Sequence, residues 1–94
     1  MAYQYKTVRG LLADRKRWTK GQAVRSNSDG TTSFCLLGAV YHVYKGRASS
    51  EAIFRIQQAI DKLFLPRWGG VAHFNDVQTT THHNIRKVLK EAKV

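Results

Sequence analysis

A mainly α-helical single domain with one small β-hairpin is the fold this sequence predicts: an α+β arrangement of about four helices around a buried central helix. Three observations predict it. Apolar residues recur at helical spacing in three separate segments, and Asp29-Gly30 marks a turn between two short β-type stretches. A chain of 94 residues with 43% hydrophobic content suits one core and is too short for two, so residues 1–94 read as one compact domain.

From about Tyr3 to Trp18, Tyr5, Val8, Leu11, Leu12 and Arg15 fall near one helical face, with Gly10 weakening the helix. The segments Gln22 to Arg25 and Thr31 to Phe34 flank Ser26-Asn27-Ser28-Asp29-Gly30, the pattern of a hairpin whose glycine takes a positive φ. Such a hairpin is marginal alone and needs the helices beneath it. Cys35 to Tyr44 is apolar almost all round and reads as the central buried helix, stopped by Lys45-Gly46. Gly38 and Ala39 sit where a neighbouring element can approach closely.

A third helix is expected from about Ser50 to Phe64, capped by Ser49 or Ser50, with the stripe Ile53, Ile56, Ile60, Leu63 and Phe64. Leu65-Pro66-Arg67-Trp68-Gly69-Gly70 breaks it. Val71 to Asp76 reads as a connection. The last helix starts near Thr79 to Thr81, turning Ile85, Val88, Leu89 and Ala92 inward and Arg86, Lys87, Lys90 and Lys93 outward.

Three spaced motifs, Trp18-Thr19-Lys20-Gly21, Cys35-Leu36-Leu37-Gly38-Ala39 and Phe74-Asn75-Asp76, carry a resemblance. Together they resemble a family of short bacterial and phage proteins of unknown function that share Trp-Thr-x-Gly, Cys-x-x-Gly-Ala and aromatic-Asn-Asp. The resemblance runs from Leu12 to Ala92 and implies a compact fold and a phage or mobile-element origin. It implies no activity.

Charge supplies the functional expectation. Sixteen Lys and Arg against six Asp and Glu leave a formal net charge of +10, a field suited to an anionic partner. Two basic clusters carry it: Arg15, Lys16, Arg17, Lys20 and Arg25, and then Arg86, Lys87, Lys90 and Lys93. Arg86, Lys90 and Lys93 are spaced to form one stripe. The expected function is therefore a small non-enzymatic protein that engages nucleic acid or a nucleoprotein complex, in a phage context to block a host defence system. Inhibition through an acidic protein surface, or sequestration of a phosphorylated small molecule, is the alternative.

Chemistry-bearing residues have their own readings. Trp18 at a helix end is expected to cover the core while its indole N–H reaches a carbonyl, and Asn75 and Asp76 are suited to closing a turn and capping the next element. The alternative groups Trp18, Cys35, Trp68, His73, Asn75 and Asp76 around a polar pocket. In that pocket Cys35 would be a nucleophile at a helix N-terminus, with His73 and Asn75 as base and orienter. The apolar surroundings of Cys35 favour a buried structural thiol. One cysteine permits no internal disulfide, the adjacent His82 and His83 diverge too far to share a metal, and no cofactor is implied. The start, Met1-Ala2-Tyr3-Gln4-Tyr5-Lys6, leads into no signal-like or membrane-spanning run, so the cytoplasm is the expected compartment, that of the host if the chain is phage-encoded.

Overall fold

Two amphipathic helices set the frame, and the shorter elements are fitted around them. The computed structural model describes residues 6–64 and 70–94. Along the chain come α1 (Val8–Leu11), a 3-10 helix (Arg15–Arg17), β1 (Val24–Ser26), β2 (Thr32–Phe34), α2 (Leu36–Val43), α3 (Arg47–Leu63), α4 (Val71–Asp76) and α5 (His82–Ala92). The result is mainly helical, with a two-stranded antiparallel hairpin between the first two α-helices. Among the described residues no helix is long and apolar enough to cross a membrane.

α3 buries Ala52, Ile56, Ala59 and Ile60, and α5 buries Ile85, Val88, Leu89 and Ala92. Each set repeats at the three- and four-residue spacing that gathers side chains on one face. The two helices share the most extensive interhelical contact of the fold. Lys62 and Glu91 pair across it at 3.0 Å, but both are solvent-exposed, so the pair contributes at most about 1 kcal/mol. The core supplies the cohesion.

α2 is central, touching α1, α3, α4 and β2. It is not buried all round. Leu36, Gly38, Ala39 and Val40 face the core, whereas Tyr41 and His42 are exposed, so the segment's apolar character overstated its burial. Cys35 caps the helix, its Sγ accepting from the Gly38 N–H at 3.3 Å. Gly38 is required by contact: a Cβ there would collide with the Ala23 carbonyl at the base of the hairpin. That same carbonyl accepts from the Cys35 N–H at 3.1 Å, locking hairpin to helix.

The hairpin pairs Val24 with Phe34, Arg25 with Ser33 and Ser26 with Thr32. Its turn closes as the Asn27 N–H donates to the Thr31 carbonyl at 2.8 Å, and Gly30 takes φ 89°. Asp29 accepts from Thr31 Oγ1 at 2.6 Å and from its N–H at 3.0 Å, which holds the carboxyl below its ordinary value. Because that value is lowered, its support for the turn is present above the ordinary carboxylate range and is lost as pH falls through the lowered value. β1 is exposed, while Ser33 and Phe34 of β2 are buried against the helices.

Three expectations are corrected. The first helix is far shorter than Tyr3 to Trp18: residues 1–5 lie outside the described residues, and the remainder forms one turn ending at Leu11. Thr7 caps that turn and Asp14 starts the separate 3-10 helix by accepting from the Lys16 N–H at 2.9 Å, so two local caps override one long periodicity. Arg15 is therefore exposed rather than on the buried face. α3 begins at Arg47, three residues before the expected start, because Gly46 supplies φ 57° and Ser49 Oγ donates to the Gly46 carbonyl at 2.6 Å from inside the helix. Val71 to Asp76 is a helix, not a connection. Val71, Phe74 and Asn75 bury at helical spacing, but six residues are too few to display a period. The expected break at 65–69 lies outside the described residues.

α1 is clamped onto α5 at both ends. The Val94 carbonyl oxygen accepts from the N–H groups of Val8 at 2.7 Å and Arg9 at 3.3 Å, and His82 Nε2 lies 2.7 Å from the Leu12 carbonyl oxygen, which makes it the donating nitrogen.

Replacing Val40 by Asp should unfold the domain, since an unpaired buried charge costs several kcal/mol against a total of about 5–15. Loss of a cooperative thermal transition is the expected readout. Gly38→Ala should lower the melting temperature by disturbing the Ala23 contact, whereas Gly70→Ala, where among the described residues the added methyl meets only the Gln57 side chain at ordinary contact distance, should change it little.

Candidate functional site

The three sequence motifs converge on one buried carboxamide. Asn75 on α4 is completely buried, and its Oδ1 accepts from Trp18 Nε1 at 2.7 Å and from the Leu36 N–H at 3.0 Å. Its Nδ2 donates to the Thr19 carbonyl at 3.0 Å and to Asp76 Oδ1 at 2.8 Å. Asp76 Oδ1 also accepts from the Gly21 N–H at 2.9 Å. A primary amide offers two donors and two lone pairs, and all four are used. Asn75 thus joins the 3-10 exit, the start of α2 and α4, rather than capping the segment after it. The expected carbonyl for Trp18 is this side-chain one.

Lys20 belongs to the same knot. Its ammonium donates to the Val77 carbonyl at 2.7 Å and lies 5.5 Å from the centroid of the Trp18 ring. The ring also approaches His82, with centroids 6.0 Å apart. Lys20 is half-buried, so this member of the first basic cluster is committed to holding the Trp18 loop on α4.

The proposed Cys-His-Asn set is not brought together. His73 and Asn75 are two residues apart on α4, about 200° around the helix, and His73 is exposed where Asn75 is buried. Cys35 is buried and serves as the α2 cap. Trp68 lies outside the described residues. Every buried side-chain nitrogen and oxygen among the described residues has a hydrogen-bond partner, so no orphan polar group points into a pocket here.

The second basic cluster has a different setting. Opposite its core stripe, α5 carries His83, Arg86, Lys87 and Lys90, again at three- and four-residue spacing but displaced by two residues, about 200°. These four side chains, with Arg9 of α1 and Ala13 just beyond it, line an open cleft of about 560 Å³. None of the six carboxyl-bearing residues, Asp14, Asp29, Glu51, Asp61, Asp76 and Glu91, lines it, and Glu91, beside Lys90 in sequence, is drawn towards α3 by Lys62. Among the described residues, none of the five basic side chains in the cleft has a hydrogen-bond or ion-pair partner.

Lys93 stands outside this cleft. It takes the left-handed cap position at φ 61°, just past the helix, so the lining stripe is His83, Arg86, Lys87 and Lys90 rather than Arg86, Lys90 and Lys93. Arg15 and Lys16 are exposed on the 3-10 helix and Arg17 is half-buried. Arg15 follows Ala13 by two residues, which places the start of this cluster within about 7 Å of chain from the cleft. Arg25 is exposed on β1, a separate element. Sequence reasoning missed Arg9 and His83. His83 was detectable from the 83-86-87-90 spacing, whereas Arg9 joins only because α1 docks on α5.

Asn75→Ala should leave the Trp18 indole, the Leu36 N–H and the Thr19 carbonyl without partners. At about 1–3 kcal/mol for each buried group left unsatisfied, the denaturation midpoint should fall steeply and the Trp18 emission should shift to the red. Cys35→Ser should cost far less, because a hydroxyl can accept the same Gly38 N–H.

No curated protein and no solved structure matches the chain. One family model does, across residues 2–93, and its span takes in all three motifs and both walls of the cleft. The chain belongs to that family, the Family of unknown function (DUF6197).

Proposed function

We propose that this protein is a small non-enzymatic binding module that engages nucleic acid, alone or in a nucleoprotein complex, through the basic cleft between α1 and α5. The observation that carries the reading is the convergence of Arg9, His83, Arg86, Lys87 and Lys90 on a cleft that no Asp or Glu side chain lines. Neighbouring like charges on a helix cost a few tenths of a kcal/mol per pair, and a polyanion in the cleft reverses that cost. The net charge of +10 extends the attraction beyond the cleft and steers the encounter. Arg15 and Lys16 supply exposed charge at the border. The contacts are of the kind that fix position on a phosphate backbone and carry little base information.

A salt titration of oligonucleotide binding tests this. Affinity should fall linearly on logarithmic axes, and replacing Arg86, Lys87 and Lys90 together by Glu should nearly abolish it while leaving the thermal transition in place, since these positions face away from the core. The slope should become shallower by about one unit for each phosphate that the variant no longer neutralises. The corresponding change at Arg15, Lys16 and Arg17 should weaken binding less. Unchanged affinity and slope in the α5 variant would show the charge to be merely solvated surface.

A further inference from the structure

Cations reach the cleft from two different elements, Arg9 from α1 and Arg86, Lys87 and Lys90 from one face of α5. Resting on the binding function proposed above, we infer that the cleft receives a terminal phosphomonoester, at the end of a nucleic-acid strand or on a free nucleotide, in preference to the internal phosphodiester backbone.

The donor set gives the first reason. An arginine fork engages two oxygens at once. An internal phosphodiester has only two terminal oxygens, so one fork occupies both. A phosphomonoester offers three strong acceptor oxygens, enough for Arg9 and Arg86 to approach from separate elements with a lysine beside them.

Charge gives the second. A phosphodiester brings one negative charge, whereas a phosphomonoester carries roughly −1.5 to −2 near neutral pH. Four permanent cations without a carboxylate among them match the denser anion better. Shape points the same way: about 560 Å³ falls within the roughly 300–1,000 Å³ typical of small-ligand pockets, suited to a strand end or a nucleotide.

The walls are also held in place before any ligand arrives. Val94 fixes the start of α1 and His82 fixes its end, so the Arg9 wall stands in a set position relative to the α5 stripe. Preorganised donors lose less freedom on binding than donors on a loose segment.

The test is a competition assay with the full chain at fixed salt. The competitors are a short oligonucleotide with a 5′-phosphate, the same oligonucleotide with a 5′-hydroxyl but lengthened to equal total charge, and adenosine 5′-monophosphate. The 5′-phosphorylated strand should compete at least about tenfold better than its charge-matched counterpart, the difference expected from added charge-assisted hydrogen bonds. Arg9→Gln should erase that preference, weakening the 5′-phosphorylated strand more than the 5′-hydroxyl strand, while the melt stays in place. If adenosine 5′-monophosphate competes as well as the phosphorylated strand, the phosphomonoester assignment holds and its source is a free nucleotide. If it competes far less well, the source is a strand end. Equal competition by the two charge-matched strands overturns the phosphomonoester inference and leaves nucleic-acid binding standing. No binding by any of the three overturns both.

Discussion

The architecture depends on the side chain of Asn75. One buried carboxamide meets an indole, two backbone groups and a neighbouring carboxylate, and these partners come from positions 18, 19, 36 and 76. Hydrogen bonds in a buried setting are strong when complete and costly when broken. The knot therefore does what a larger core would do by area alone. It fixes the loop after the 3-10 helix, the first turn of α2 and the short α4 in one mutual geometry, and with them the hairpin that hangs from Cys35 and Ala23. An aliphatic residue at 75 would fill the space and satisfy none of the four.

Separate contacts form the basic cleft. α1 is one turn long and could not persist alone, since helix nucleation is unfavourable until several hydrogen bonds have formed. It persists here because Val8, Leu11 and the adjacent Leu12 are buried and because both of its ends are bonded to the ends of α5. Its position places Arg9 and Ala13 beside the polar face of α5 and turns a convex basic helix into a concave site. Trp18 links the two regions, touching His82 on one side and Asn75 through its indole nitrogen. The cleft and the knot thus meet at His82, the neighbour of His83, without sharing any cleft-lining side chain.

The two basic clusters are physically unlike, although composition weighs them equally. Lys20 is held by the Val77 carbonyl and the Trp18 ring, so its charge is already engaged within the fold. Arg86, Lys87 and Lys90 have no such partner among the described residues and line an open concavity. Cations of one sign gathered in a concavity focus the electrostatic field there more than the same charges spread over a convex surface.

The long amphipathic helices, the hairpin with its glycine turn, the central placement of α2 and the close approach at Gly38 are legible in the residues alone. Each rests on local spacing or on a residue whose conformational limits are its own. Local spacing also assigns the α5 cations to the outward face, because periodicity separates the two sides of a helix before any partner is known. Long-range packing sets the remainder. α1 and α4 are too short to register as periods and become helices through burial and capping. Asn75 looked like a turn former because Asn commonly is one, and its distant partners are 39 to 57 residues away in sequence. Arg9 entered the cleft for the same reason, through the docking of a single helical turn whose ends bond to His82 and Val94, far along the chain. Contacts between such distant positions leave no periodic trace in one sequence, since what specifies them is the shape of the space the assembled helices leave between them.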